Sequence, residues 1–193
     1  MCKSKGIRFF CNISSNHTTH RPKAKTNLKN KEKVFSELIT NNQRIIHKVC
    51  SIYTNDQESH NDLFQEIVLQ LWRSFESFKG NAKFSTWMYR VGLNTAITHV
   101  RKKNKSAVTL SLEEHHYLHL SNDHDENKQE QLDLLYQSLK FLNDIERALV
   151  LLYLEDLSYK EISETLGITE GNARVKMNRV KNKLKEIIAN LSN

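Results

Sequence analysis

Leu157-Ser158-Tyr159-Lys160-Glu161-Ile162-Ser163-Glu164-Thr165-Leu166-Gly167-Ile168-Thr169-Glu170-Gly171-Asn172-Ala173-Arg174-Val175-Lys176-Met177-Asn178-Arg179-Val180-Lys181 reads as a short helix, a tight turn and a second, basic helix. Ser158 and Glu161 have the spacing of a capping box, Ile162 and Leu166 repeat at helical spacing, and Gly167 stops the helix. Thr169 is placed to cap the next helix. There Ala173, Met177, Val180 and Leu184 share one side, while Arg174, Lys176, Arg179, Lys181 and Lys183 project from the rest of the cylinder. A basic amphipathic helix alone is equally well read as a solvated surface element. Preceded by a capped helix and a Gly-Ile-Thr turn, it becomes a helix-turn-helix that offers cations to a major groove.

The rest of the composition agrees with a helical protein. Among 193 residues there are one proline (Pro22), five glycines and few β-branched runs, so almost all ordered structure is expected to be α-helical. A formal net charge of +7 suits a polyanionic partner, nucleic acid or an anionic membrane. No apolar run approaches the roughly 20 residues of a transmembrane helix, and a soluble, cytoplasmic protein is expected. The basic start holds only Ile7-Arg8-Phe9-Phe10-Cys11 as apolar content, too little for a signal-peptide core.

Cys2, Cys11 and Cys50 lack zinc-ligand spacing and fit reduced thiols, with Cys50 in a core pattern. His115, His116, His119 and His124 form the one metal-like cluster; without cysteines or a defined carboxylate beside them they read as polar linker. No Gly-rich phosphate loop, metal quartet or nucleophile motif is present, so neither an enzyme nor a cofactor is expected.

Residues 1–27 read as a disordered basic tail, 28–105 as a first helical domain, 106–130 as a flexible acidic linker and 131–193 as a second helical domain. In the first domain, Lys31 to Tyr53 is one helix or a pair bent at Asn41-Asn42. A cleaner helix runs from about Asn61 to Phe78, with Leu63, Phe64, Ile67, Val68, Leu71, Trp72 and Phe75 on its core face, and Gly80 ends it. Asp62, Glu66 and Arg73 lie outside that face. A basic, aromatic loop, Lys79 to Trp87, is followed by a helix from about Thr86 to Lys103 that ends in Arg101-Lys102-Lys103-Asn104-Lys105.

Two blocks carry a family resemblance. Asp62-Leu63-Phe64-Gln65-Glu66-Ile67-Val68-Leu69-Gln70-Leu71-Trp72-Arg73-Ser74-Phe75 with Phe78-Lys79-Gly80-Asn81-Ala82-Lys83-Phe84-Ser85-Thr86-Trp87-Met88-Tyr89-Arg90-Val91-Gly92-Leu93-Asn94 resembles region 2 of bacterial sigma factors. Glu146 to Ile162, leading into the helix-turn-helix, resembles region 4. The chain is thus similar to the extracytoplasmic-function (ECF) group of the sigma-70 family over roughly residues 33–105 and 131–188. This resemblance implies an all-α protein whose partners are core RNA polymerase and promoter DNA, with a membrane-anchored anti-sigma factor as the candidate third. It assigns polymerase docking to Asp62, Gln65, Glu66 and Arg73. Capture of the −10 element falls to Lys83, Phe84, Asn94, Arg101 and Lys102, and reading of the −35 element to Arg174, Val175, Lys176, Asn178, Arg179 and Lys181. Thr98 stands where an aspartate is common, and Asn172-Ala173 where a small hydroxyl residue and valine are usual.

The chemistry of these residues is consistent with such roles. Asp62 and Glu66, four apart, can share a face and pair with a partner's cations or simply be solvated. Phe84 and Trp87 beside Lys79 and Lys83 offer aromatic walls and ammonium groups to unpaired DNA. Core packing is the favoured role for Trp87, whereas Phe84 stands open between the two. Asn94 has an amide that can read a base edge or satisfy a buried bond. The competing reading is a dimeric helix-turn-helix regulator that binds duplex DNA without docking on polymerase.

Overall fold

The structure is a computed structural model that describes the backbone of residues 24–106 and 126–191, and the side chains of 30–103 and 131–191. The described residues form seven α-helices and one 3-10 turn, without a strand. They are α1 (Ala24–Tyr53), α2 (Gln57–Ser74), the 3-10 turn Phe75–Ser77, α3 (Phe84–Ser106), α4 (Glu126–Leu139), α5 (Asp144–Leu154), α6 (Tyr159–Leu166) and α7 (Glu170–Leu191).

Helices α1 to α3 pack around Ile46, Val49, Leu63, Ile67, Leu71, Met88 and Leu93, all essentially without solvent exposure. Periodicity explains the choice, since each residue falls on the one apolar stripe of its helix. α1 is continuous through Asn41-Asn42: Asn42 Nδ2 donates to the Leu38 carbonyl at 2.8 Å, so the side chain that suggested a break is absorbed on the helix surface. α1 already begins at Ala24, inside the segment read as a tail.

α2 starts earlier than its apolar pattern. Asp56, in extended conformation, accepts from the Ser59 amide at 2.7 Å and caps the helix, so the first turn is polar and invisible to periodicity. The helix stops at Ser74 and tightens into the 3-10 turn, well before Gly80; that glycine instead supplies a left-handed turn at φ 74° in the following loop. α3 begins at Phe84, so Phe84 opens the helix where the sequence suggested a loop.

Helices α4 to α7 enclose Leu149, Leu152, Ile162, Met177 and Val180. Asn143 caps α5 and Ser158 caps α6, each in a reciprocal box with the glutamate at the third helical position, and Gly167 ends α6 at φ 65°. Arg147 ties the α4–α5 turn by donating to the carbonyls of Leu142 and Lys140, both at 3.0 Å. α4 begins at Glu126, inside the stretch read as linker. The histidine cluster, Cys2, Cys11 and the acidic segment before Glu126 lie outside the described residues.

The two helical groups touch. Tyr89 of α3 donates its hydroxyl to Glu155 Oε2 at 2.7 Å, Lys48 of α1 pairs with the same carboxylate, and Tyr53 donates to the Asp144 carbonyl at 2.6 Å. Arg101 lies 3.8 Å from Asp144. A tether alone would not fix the groups; these bonds do.

Candidate functional site

Three exposed surfaces carry the residues singled out by sequence. On α2, Asp62, Gln65 and Arg73 are exposed, and Leu69 completes their stripe as an exposed leucine, 45% accessible. Spacings of three, four and four residues put them along one side of the helix. Glu66 behaves otherwise. It is half-buried, with Oε2 2.8 Å from Nδ1 of His99 on α3, so it fastens α2 to α3 and does not extend the free face that its spacing from Asp62 suggested.

The second surface is the start and outer side of α3. Phe84 is half-buried, with ring centroids 5.4 Å from both Phe78 and Trp87. Phe78 also lies 5.2 Å from Trp87, and Trp87 6.5 Å from Phe75. Both Phe84 and Trp87 are therefore part of an aromatic cluster that packs on the core, and both are half-buried. Lys83 beside it is 81% exposed at its side chain. Further along α3, Arg90, Asn94, Thr98 and Arg101 follow at three- to four-residue spacing, and the amide of Asn94 makes no hydrogen bond among the described residues. Arg90 is exposed on this face and went unnoticed in the sequence because Val91 and Gly92 beside it belong to the core pattern. Lys102 is exposed as well.

The third surface belongs to α7. Thr169 Oγ1 accepts from the Asn172 amide at 3.3 Å, so the turn after Gly167 aims the helix directly out of the helix-turn-helix. Ala173, Met177 and Val180 face inward. Val175, Asn178 and Arg179 are exposed at the opposite side, with Val175 52% accessible. Arg174 and Lys181, two turns apart, lie on one flank beside the aromatic rings of Tyr159 and Tyr153. The bond that Lys181 donates to the Tyr153 hydroxyl raises its ammonium above the ordinary lysine value, so it stays cationic. Lys176 differs from the sequence expectation: it is half-buried on the other flank, where Glu146 of α5 feels its charge and binds Lys183 at 3.1 Å. Charge alone could not tell these flanks apart; the direction of the apolar stripe does.

No helix of the described residues is long and apolar enough to cross a membrane, and no group of three or more metal-ligating side chains gathers among them.

Comparison with known proteins matches the same two helical groups. Residues 38–106 match the family model Sigma-70 region 2, and residues 132–184 match Sigma-70, region 4. The chain is 26% identical over 161 residues to the ECF RNA polymerase sigma-E factor of Haemophilus influenzae, covering 78% of this chain and 85% of that one. It is 26% identical over 174 residues to the ECF RNA polymerase sigma factor SigW of Bacillus subtilis, covering 84% and 93%. Its fold is similar to that of the sigma factor RpoE of Bartonella quintana, solved in complex with the anti-sigma factor NepR, with a TM-score of 0.65 at 16% identity, covering 81% of this chain and 98% of that one. CnrH, solved with the cytosolic domain of CnrY, gives 0.59 at 15% identity over 82% and 89%.

Proposed function

Since the chain belongs to the ECF group of the sigma-70 family and acts in promoter-directed transcription initiation by RNA polymerase, we propose how its surfaces divide that work. The α1–α3 group, about residues 28–105, docks on core polymerase through the α2 stripe of Asp62, Gln65, Leu69 and Arg73, with Glu66 fixing that helix on α3. The same group captures the opened −10 element on Lys83, the half-buried Phe84, Arg90, Asn94, Arg101 and Lys102. The α4–α7 group, 131–193 with α4 extending it back to Glu126, reads the −35 duplex through Arg174, Val175, Asn178, Arg179 and Lys181, with Lys176 placed for a peripheral phosphate. Residues between the groups form the linker. The chain works in the cytoplasm, and a membrane-anchored anti-sigma factor restrains it.

The observation that carries this reading is the separation of two unlike cationic faces. That of α3 pairs cations with an aromatic edge and a free amide, the inventory for unpaired bases. The α7 face sets cations along a helix exposed for insertion in a groove. Lys83 and Arg101 of α3 face Glu161 and Asp144 of the other group at 4.0 and 3.8 Å, so these pairs open when the −10 strand takes both cations. Permanganate footprinting tests the division: Asn94→Ala and Lys83→Ala holoenzymes should bind the promoter but form a weakened bubble. A normal bubble with both variants would remove α3 from strand capture.

A further inference from the structure

The cations of α7 are not equally free. Arg174 Nη2 donates to Glu170 Oε1 at 2.6 Å, one turn back on the helix, and its guanidinium carbon lies 4.7 Å from the centroid of the Tyr159 ring. Tyr159 is the first residue of α6, directly after the Ser158–Glu161 capping box, and is half-buried against the core. The Tyr153 ring, 6.3 Å away, continues the ledge and takes Lys181 at 4.0 Å. Arg179, by contrast, touches no ring and no carboxylate among the described residues.

We propose that Tyr159 and Glu170 are positioning residues that make Arg174 the base-reading arginine of the −35 duplex. The inference rests on the reading that α7 enters the groove. A guanidinium lying on a ring has its plane fixed and its N–H edge turned outward. Glu170 takes one of its five donors and leaves a pair for the O6 and N7 of a guanine. The carboxylate also partly neutralises the cation, which weakens its pull toward phosphates and leaves hydrogen-bond geometry to decide. Arg179, without ring or carboxylate, is suited to a phosphate, where orientation matters little.

The test is selection from a randomised −35 duplex library by full-length holoenzyme, followed by affinities for the selected duplex and its single-base variants at several salt concentrations. Arg174→Ala should lose preference at one base by roughly 5- to 150-fold. Tyr159→Ala should lose about two- to fivefold at that same base with an unchanged salt slope, and Tyr159→Phe should restore it. Glu170→Gln should lose preference there and steepen the salt slope by about one, as Arg174 turns to a phosphate. Circular dichroism checks that each variant is folded, and Glu170→Gln remains informative should Tyr159→Ala not be. Wild-type preference in both Tyr159→Ala and Glu170→Gln would overturn the proposal, as would a uniform loss with a lowered salt slope in Tyr159→Ala, which would make Tyr159 a backbone contact. Tighter binding with unchanged preference would overturn it too, by making ring and carboxylate mere competitors of DNA. Wild-type preference in Arg174→Ala would overturn it as well, whereas failure of the wild-type holoenzyme to select any −35 duplex would instead reject the groove reading of α7 on which the inference rests.

Discussion

Glu155→Ala should separate the two helical groups without weakening either. Glu155 sits at the C-terminal cap of α5, where a carboxylate faces the negative end of the helix dipole and costs about 0.3–1 kcal/mol locally. Its place is explained by the other group: the Tyr89 hydroxyl and the Lys48 ammonium both donate to it. Tyr89 is buried at 3% exposure, so its bond to a charged acceptor contributes about 1.5–3 kcal/mol. The Lys48 side chain is 41% exposed, and solvent screening leaves that pair about 0–1 kcal/mol. Removing the carboxylate should thus lower the closed-to-open ratio by roughly tenfold or more, at about 1.4 kcal/mol per factor of ten. Spin labels on cysteines introduced at Asp62 and Glu186 read the separation by pulsed electron resonance along a urea series. Cys2 and Cys11 are replaced by serine, while Cys50 stays, because burial pushes its thiol up to about 12 and keeps it unreactive. The long-distance population should appear at lower urea in Glu155→Ala than in wild type, with the unfolding of the α4–α7 group unshifted or slightly raised. Coincident opening curves would show that this carboxylate does not hold the groups together.

Burial lowers His60, and also His47, below the ordinary 6.5; with the folded value depressed, their contribution to stability is whole above about pH 6.5 and is lost as pH falls toward the folded value. Melting of the α1–α3 group should therefore drop between about pH 7.5 and about pH 5, and the drop should shrink in His60→Leu, a variant with no cost for the ring nitrogen, Nδ1, that has no partner; equal slopes in the two proteins would refute this origin. Ser158→Ala should cost about 0.5–2 kcal/mol in urea unfolding by removing the α6 cap, and a smaller loss in an otherwise two-state transition would mean that Glu161 alone closes the turn. Gly92→Ala should stabilise by about 0.5–1 kcal/mol, since a Cβ there meets Ile67 and Val49 at an ordinary 3.7 Å; a lowered melting point would show that the α1–α2–α3 junction has no room for it.

The helical content and the inner faces were legible in the sequence wherever one apolar stripe met one cap. α6 and α7 are the clearest case: Ser158, Gly167 and Thr169 act locally, and Ala173, Met177 and Val180 need only a partner on one side. The α2 boundary was not legible, because Asp56 caps a polar first turn that leaves no hydrophobic period to detect. Phe84 was split between two roles by its spacing; its packing on Phe78 and Trp87 depends on how the 3-10 turn folds that loop back. The partners of Glu66, Arg174 and Glu155 lie on other helices or, for Glu170, on the same helix face in an unmarked position. Such pairings are set by helix packing angles, which no local pattern encodes.

Mapping transcript 5′ ends bears most directly on the division of labour between α3 and α7. Purified full-length protein is added to sigma-free core RNA polymerase on genomic DNA of the source organism, and the starts are aligned. They should share a −10 and a −35 element that are absent with core alone, with Asn94→Ala reducing all of them and Arg174→Ala relaxing one −35 base. Starts identical to those of core alone, or a shared upstream element unaltered by either substitution, would contradict it.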